Sequence, residues 1–507
     1  MSAFFTMISN GVMDLLLALS CLWLFFTKSV LPLLGIVLAV LVVLLLIAVL
    51  RTVVQGRKVS SYTPDPDQEK EALCAEKLSA MVRCDTTSYR GVSEPEKFRK
   101  FHQVLSELFP LVFQNCQVMD LEGNLLLLWK GKRSDDPLML MSHMDVVPAG
   151  SGWSCAPFCG EIRDGKVWGR GTSDTKASVM AFYQAVEELM AEGYQPPVDI
   201  YLCSSCTEEV GGDGAPRIVQ WLKDHNVKLA MLSDEGGGII SEPIGGIPGN
   251  FAMVGVFEKG TGDLKFTARS TGGHASAPGR NTPIVRLAKF ISRVEKKTPM
   301  TVKFSPEVEE MFSRLAPYGS FPLHLVLGNL WLFKPLLKKV LPLISPQAAA
   351  MLQTTIGFTM QKGSEGYNVI PQEAYVTANL RFIPHQKVDD SVKVLTKLAA
   401  KYGLETEVIA ANDPSPSLDL KGRAFKITET AIAQTFPGLP ASPYVVTGAT
   451  DCRFYNDVCD SCVRFAPVVY GPEQMKGMHG IDENIETNCL PGAVDYYKNL
   501  IRLQESM

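Results

Sequence analysis

Histidines and acidic residues recur in this chain just beyond its apolar runs. The run MLMSHMDVVPAG presents His143 and Asp145, one residue apart. GRGTSDTKA places Asp174 between a glycine-rich turn and the start of a helical pattern. CSSCTEEVGG supplies the adjacent pair Glu208 and Glu209, LAMLSDEGGG ends with Asp234 and Glu235, and KGMHGIDE holds His479 far downstream. Each alone reads as a cap or a hydrogen-bonded loop residue. Together they form the donor inventory of a metal site, because zinc accepts imidazole nitrogen and carboxylate oxygen at roughly 2.0–2.2 Å. Two ions about 3.5–4 Å apart need a shared ligand, and a carboxylate with two oxygens can bridge them. Two histidines and three acids suffice: one of each per metal, plus the bridge. The acids left over can orient an imidazole through its second N–H, or take a proton from the attacking water and return it to the leaving amine.

The elements around these residues alternate. Glu71–Met81 and Pro95–Phe109 have helical spacing, and Asn124–Trp129 and Pro137–Ser142 are apolar runs of strand length. Ala177–Glu192 is an amphipathic helix, Val198–Cys203 a strand, Ala215–Asp224 a helix, and Ala230–Asp234 a strand ending in acids. This order predicts an α/β domain with a mostly parallel central sheet, whose strand C-termini are where chemistry is expected.

Composition excludes several classes. Lys and Arg number 49 against 53 Asp and Glu, a net charge of −4, which gives no basic footprint for nucleic acid. Hydrophobic residues at 46% exclude a largely disordered chain, and twelve cysteines in 507 residues are too sparse for a disulfide scaffold. Cys203-x-x-Cys206 and Cys459-x-x-Cys462 read as ordinary thiols, since the first pair stands at a strand end directly before the glutamates. The glycines of Val210–Gly214 and Gly236–Gly238 read as loop turns with no lysine in P-loop spacing.

Val30–Leu50 is 21 residues without a charge, enough to cross a hydrocarbon core of about 30 Å. Gly11–Phe26 is a second, shorter apolar stretch containing Asp14, so the anchor is one span or a hairpin turning at Thr27–Ser29. Arg51, Arg57 and Lys58 follow the long span while only Lys28 precedes it, which places the C-terminal bulk on the cytoplasmic side of the membrane. The chain divides into an anchor over 1–58, a polar linker over 59–68 and a soluble remainder.

The series SHMDVVP, GRGTSDTKA, TEEVGG, SDEGG and MHGIDE resembles the M20 family of zinc-dependent metallopeptidases and amidohydrolases, from about residue 70 to the C-terminus. The stretch from Leu343 to Gln386 is similar to the subgroup of carboxypeptidase S and the N-fatty-acyl-amino-acid synthase/hydrolases. The resemblance implies a zinc-exopeptidase-type catalytic domain over 69–252 and 413–507, with an α+β lid inserted at 253–412 and able to pair two copies as a homodimer. It implies two zincs per chain: one held by His143, Asp234 and a bridging Asp174, the other by Glu209, His479 and the same Asp174. Glu208 becomes general base and acid, Asp145 holds His143, and the Asp174–Thr175 bond is cis. In the lid, His274 stabilises the oxyanion, and Asn368 and Arg381 grip a substrate carboxylate. Gly448 lies in a loop lining the cleft. The implied substrates are peptides or N-acyl amino acids; the competing reading is a catalytically silent relative kept as a binding or scaffold protein. The apolar Leu325–Leu343, interrupted by Lys334, Lys338, Lys339 and two prolines, reads as part of the lid insertion that packs near the cleft or touches the membrane.

Overall fold

The strands that carry the architecture are β1 (Gln117–Leu121), β2 (Asn124–Trp129), β3 (Arg133–Met141), β4 (Val198–Ser204), β5 (Met231–Ser241), β6 (Asn250–Glu258), β7 (Gly260–Arg269), β8 (Thr355–Lys362), β9 (Glu373–Phe382), β10 (Leu404–Ala411), β11 (Ala441–Val446) and β12 (Cys462–Tyr470). The computed structural model describes residues 31–64 and 66–505, with Ala18–Ser20, Trp23, Phe25 and Thr27 ahead of them. Most of the second apolar stretch, Gly11–Phe26, and with it the hairpin alternative, lies outside the described residues.

Eight strands form the central sheet in the order β1-β2-β4-β3-β5-β12-β6-β11. Its middle four, β4-β3-β5-β12, run parallel, and antiparallel partners extend it toward both edges. β2 and β4 are buried throughout: β2 carries the apolar run Leu125–Trp129, and β4 lies inside the sheet between β2 and the parallel β3, covered on both faces. The helix Ala177–Ala191 lies against this sheet with most of its length buried. Asp67 starts the helix Gln68–Val82 by accepting the N–H groups of Glu69 and Lys70.

The lid is a separate four-stranded antiparallel sheet, β8-β9-β7-β10. Its helices Pro283–Lys296 and Val388–Ala400 close a core of its own around Leu264, Phe266, Phe290 and Leu380. Two boundaries differ from the sequence reading. The lid does not begin at 253: β6 stays in the central sheet, and the separate sheet begins at Gly260. The helices over Pro306–Leu352, read as lid, belong to the body, since Val308, Met311, Phe312, Leu315 and Leu352 join the same core as Phe251 and Val445. Apolar spacing locates a buried face without saying which of two cores it joins.

Gly236–Gly238 is likewise part of β5 and not a loop turn. A Cβ on Gly237 would stand 2.3 Å from the Met253 carbonyl oxygen and 2.4 Å from that of Arg464, so glycine permits three backbones to meet there. The helix Leu31–Gln55 is long and apolar enough to cross a membrane and is largely exposed.

Candidate metal centre and active site

The cluster sits where β3, β4 and β5 deliver their polar residues. His143 follows β3 and is buried; its Nδ1 lies 2.9 Å from the backbone oxygen of Asp145, and its Nε2 3.0 Å from Asp174 Oδ1. Asp174 Oδ2 in turn lies 3.0 Å from His479 Nε2, which is also 3.0 Å from Glu209 Oε2. One aspartate therefore turns each of its oxygens to a different imidazole. The Asp174–Thr175 peptide bond is cis.

Asp145 acts mainly on the other side of the cleft. Its carboxylate stands 3.6 Å from His143 Nδ1, too far for a hydrogen bond. It accepts instead from Ser88 Oγ at 2.7 Å and from the N–H groups of Glu208 and Glu209 at 3.1 and 3.2 Å. Asp145 thus fixes His143 through its carbonyl and the glutamate turn through its carboxylate.

Of the adjacent acids on β5, Glu235 and not Asp234 joins the cluster. Glu235 Oε1 is 3.4 Å from His143 Nε2. Successive side chains in a strand point to opposite faces, so Asp234 is turned away, accepting the Cys452 N–H at 3.1 Å at a register level with Arg464. One ligand atom each from His143, Asp174 and Glu209 lies within 4.8 Å of the others, and the same holds for His143, Glu208 and Glu235.

Glu483, four residues beyond His479, was not singled out in the sequence. Its Oε1 accepts the N–H groups of Ser173 and Asp174 at 2.8 and 3.0 Å, and its Oε2 that of Gly171 at 2.9 Å and Arg170 Nη1 at 2.6 Å. It ties the His479 segment to the loop that presents Asp174. A glycine turn permits that loop: Gly171 has φ +86°, and a Cβ there would meet Val146 at 2.6 Å.

The electrostatics of this cluster differ from those of the buried acids around it. Glu483 faces Arg170 and Glu258 faces Arg464, each a carboxylate–guanidinium pair. Among the described residues, the ion pairs of the cluster set Asp174, Glu209 and Glu235, with Glu208 beside them, against two imidazoles. Burial pushes the Glu208 carboxyl well above its usual range, with Asp451 and Glu235 adding to the effect. Burial likewise raises Glu235, to about 7. The His479 imidazole is raised to about 10 by Asp174 and Glu209. Acids crowded in this way, without a guanidinium or ammonium, are a cation site in donor chemistry and in charge.

A cleft of about 670 Å³ opens over the cluster. Asp174, Glu208, Glu209, Glu235 and His479 line it, and Gly448 lies on its wall. Ile240, Ile244, Met253, Met311, Met351 and Tyr444 are among the apolar and aromatic residues of that wall. The lid candidates are not brought to it. His274 is exposed on a two-residue strand paired with Val369–Ile370, and its Nδ1 lies 2.7 Å from Ser276 Oγ. Asn368 accepts the Ala275 N–H through its backbone oxygen, and Arg381 lies on β9 opposite Thr261 and Thr355. The two C-x-x-C pairs contribute free thiols.

Residues 139–503 match the model of peptidase family M20/M25/M40. The chain is 34% identical to the N-fatty-acyl-amino acid synthase/hydrolase PM20D1 of Xenopus tropicalis, over 93% of each protein. It is 33% identical to the probable carboxypeptidase S-like 2 of Dictyostelium discoideum, over 81% of this chain and 80% of that one. Among solved structures it resembles the M20 family metallo-carboxypeptidase Sso-CP2 of Sulfolobus solfataricus, at 17% identity and a TM-score of 0.63, covering 87% of this chain and all of that one. It also resembles human carnosine dipeptidase 1, at 15% identity and a TM-score of 0.59 over 86% of this chain and 96% of that one. The chain belongs to peptidase family M20 and is a metallo-hydrolase.

Proposed function

We propose that the protein is a membrane-anchored, two-zinc hydrolase of amide bonds next to a free carboxylate, with N-acyl amino acids as its preferred substrates. The observation that carries this reading is the cleft itself, lined both by the carboxylate and imidazole cluster and by an apolar wall that includes Ile240, Ile244, Met253, Met311 and Met351. A dipeptide leaves that wall idle, whereas an acyl chain fills it. The name of the 34% identical relative, an N-fatty-acyl-amino acid synthase/hydrolase, points the same way.

The donor set fits two metals. His143 and Glu235 would hold one, Glu209 and His479 the other, with Asp174 shared. Bound zinc would supply Lewis acidity and a lowered water pKa. The chain's residues do the rest. Glu208, left over from the ligand set, takes the proton of the attacking water as a carboxylate whose basicity burial raises, and returns it to the leaving amine. The apolar wall excludes water and aligns the acyl group. His274, Asn368 and Arg381 reach the reacting atoms only when the lid closes or a second copy presents its own lid. The helix Leu31–Gln55 is the anchor, with the catalytic body on the cytoplasmic side.

A hydrolysis screen of the full-length zinc-loaded protein against dipeptides, N-acetyl and N-long-chain-acyl amino acids tests the substrate reading. kcat/KM should climb with acyl length. A flat series, or turnover of dipeptides alone, would assign the protein to the peptidases. Activity that survives complete metal removal would remove the two-zinc reading.

A further inference from the structure

The helix Leu31–Gln55 is clamped to one part of the body. Ala48 and Thr52, one turn apart on the same face, are buried, whereas Leu46, Leu50 and Val53 around them are exposed. The partner is a helical hairpin formed by Phe321–Leu327 and Leu330–Ile344. At its turn, the buried Asn329 donates from Nδ2 to the Ala48 oxygen at 3.3 Å and to Thr52 Oγ1 at 3.1 Å. His324 Nε2 lies 3.0 Å from Gln55 Oε1, and the Lys58 N–H donates to the Pro317 oxygen at 2.8 Å. The segment after the helix is no free linker: Ser60 Oγ donates to the Asn250 oxygen, and the Tyr62 ring packs edge-on against Phe436.

These contacts set the depth of the hairpin. Ala48 is two residues inside the end of the uncharged run at Leu50, about 3 Å at helical rise. A hairpin bonded to Ala48 and Thr52 therefore lies at the edge of whatever the span crosses. Its outward face is the reverse of a soluble one. A surface helix turns polar residues outward; here Phe321, Trp331, Leu336, Leu343 and Ile344 are 50, 45, 58, 85 and 69% exposed. Residues 321–344 contain three lysines and no acid. Arg51, Arg57 and Lys58 follow the uncharged run directly, and the hairpin itself carries Lys338 and Lys339, basic residues suited to lipid headgroups. Trp331, whose Nε1 donates to Asn329 Oδ1, has one apolar and one bonded side, as tryptophans at bilayer interfaces do.

We propose that the hairpin Phe321–Ile344 is a second membrane contact, with its exposed apolar side chains seated in the leaflet from which the span emerges and Lys338 and Lys339 among the headgroups, while Lys334 pairs with Glu309 of the body. This rests on Leu31–Gln55 being a membrane span. Continuity with that span and the acid-free, lysine-bearing surface select lipid over a protein partner. The chain then runs through Ser345 into the helix Pro346–Leu352, where Pro346, Gln347, Ala350 and Met351 form part of the cleft wall. One continuous segment thus joins the leaflet to the wall beside the metal cluster.

The test uses the full chain in phosphatidylcholine–phosphatidylserine vesicles, with a photo-crosslinking amino acid placed singly at Leu336, Leu343 or Ile344. Leu41 in the span is the positive control. Val118, exposed on β1 at the opposite edge of the central sheet, is the negative one. The proposal expects lipid adducts at the three hairpin positions comparable to those at Leu41, and none at Val118. Adducts at Leu41 alone would overturn it while leaving the anchor intact. A protein–protein adduct from Leu343 in place of lipid would assign the face to a second copy and also overturn it. Absence of lipid adducts at Leu41 would remove the span, and this proposal with it.

Discussion

In the catalytic body the Asp174 loop donates three backbone N–H groups to the Glu483 carboxylate, and the Glu208–Glu209 turn donates two to that of Asp145. In the lid, His274 bonds to Ser276 two residues away and stands in solvent. The body's ligands are placed before any metal arrives, which limits the reorganisation that binding requires. The lid's residues are placed on their own sheet, away from the reacting atoms. On the proposed ligand set, metal binding would be a property of the body alone, with the lid adding to turnover. Substitutions can break this division of labour or sharpen it.

The largest effect is expected from Asp174→Ala, which removes the one carboxylate facing both imidazoles. Metal content should fall toward zero and activity with it. Retention of a full metal complement would show that Asp174 is not shared. Glu208→Gln keeps volume and loses the proton acceptor; kcat should fall about 10²–10⁴-fold with metal content unchanged. Loss of metal in that variant would move Glu208 into the ligand set. His274→Ala should lower kcat by about 10²–10³-fold, as removal of an oxyanion partner does, again with normal metal content. An unchanged rate would confine His274 to its hairpin. Glu483→Gln weakens the grip on the Asp174 loop and leaves buried Arg170 without its carboxylate, so metal affinity should drop about 10–100-fold. Titration with a competing chelator reads that loss directly.

The smallest effect is on pH. His479 is raised to about 10 by Asp174 and Glu209, so the metal-free imidazole is protonated at neutral pH and must lose its proton to bind a metal. Affinity should rise with pH up to that value and fall as pH drops. Calorimetry in buffers of different ionisation enthalpy should show protons released on zinc binding; proton uptake would contradict the assignment of His479.

Much of this site was legible in the chain. Apolar runs ending in His143, Glu208 and Glu235 gave the strand-end geometry, because a buried parallel sheet presents its polar residues at its C-terminal edge. Three features were hidden for physical reasons. Asp234 and Glu235 are adjacent, and which of them faces the cleft depends on the register of β5 against β12, which composition does not carry. Glu483 reads as one more acid in a loop until folding brings it to the Asp174 backbone, 309 residues away. The helices around Met311 and Leu352 show a buried face without naming the core they join, and so were taken for lid.

Metal content per chain in two neighbouring variants tests the central claim most directly. Glu235→Gln removes a ligand from a face that points at His143 Nε2, and Asp234→Asn changes a side chain bonded to the Cys452 N–H on the opposite face. The account predicts two zincs per chain in the wild type and in Asp234→Asn, and close to one in Glu235→Gln. Loss of metal from Asp234→Asn with a full complement in Glu235→Gln would contradict it.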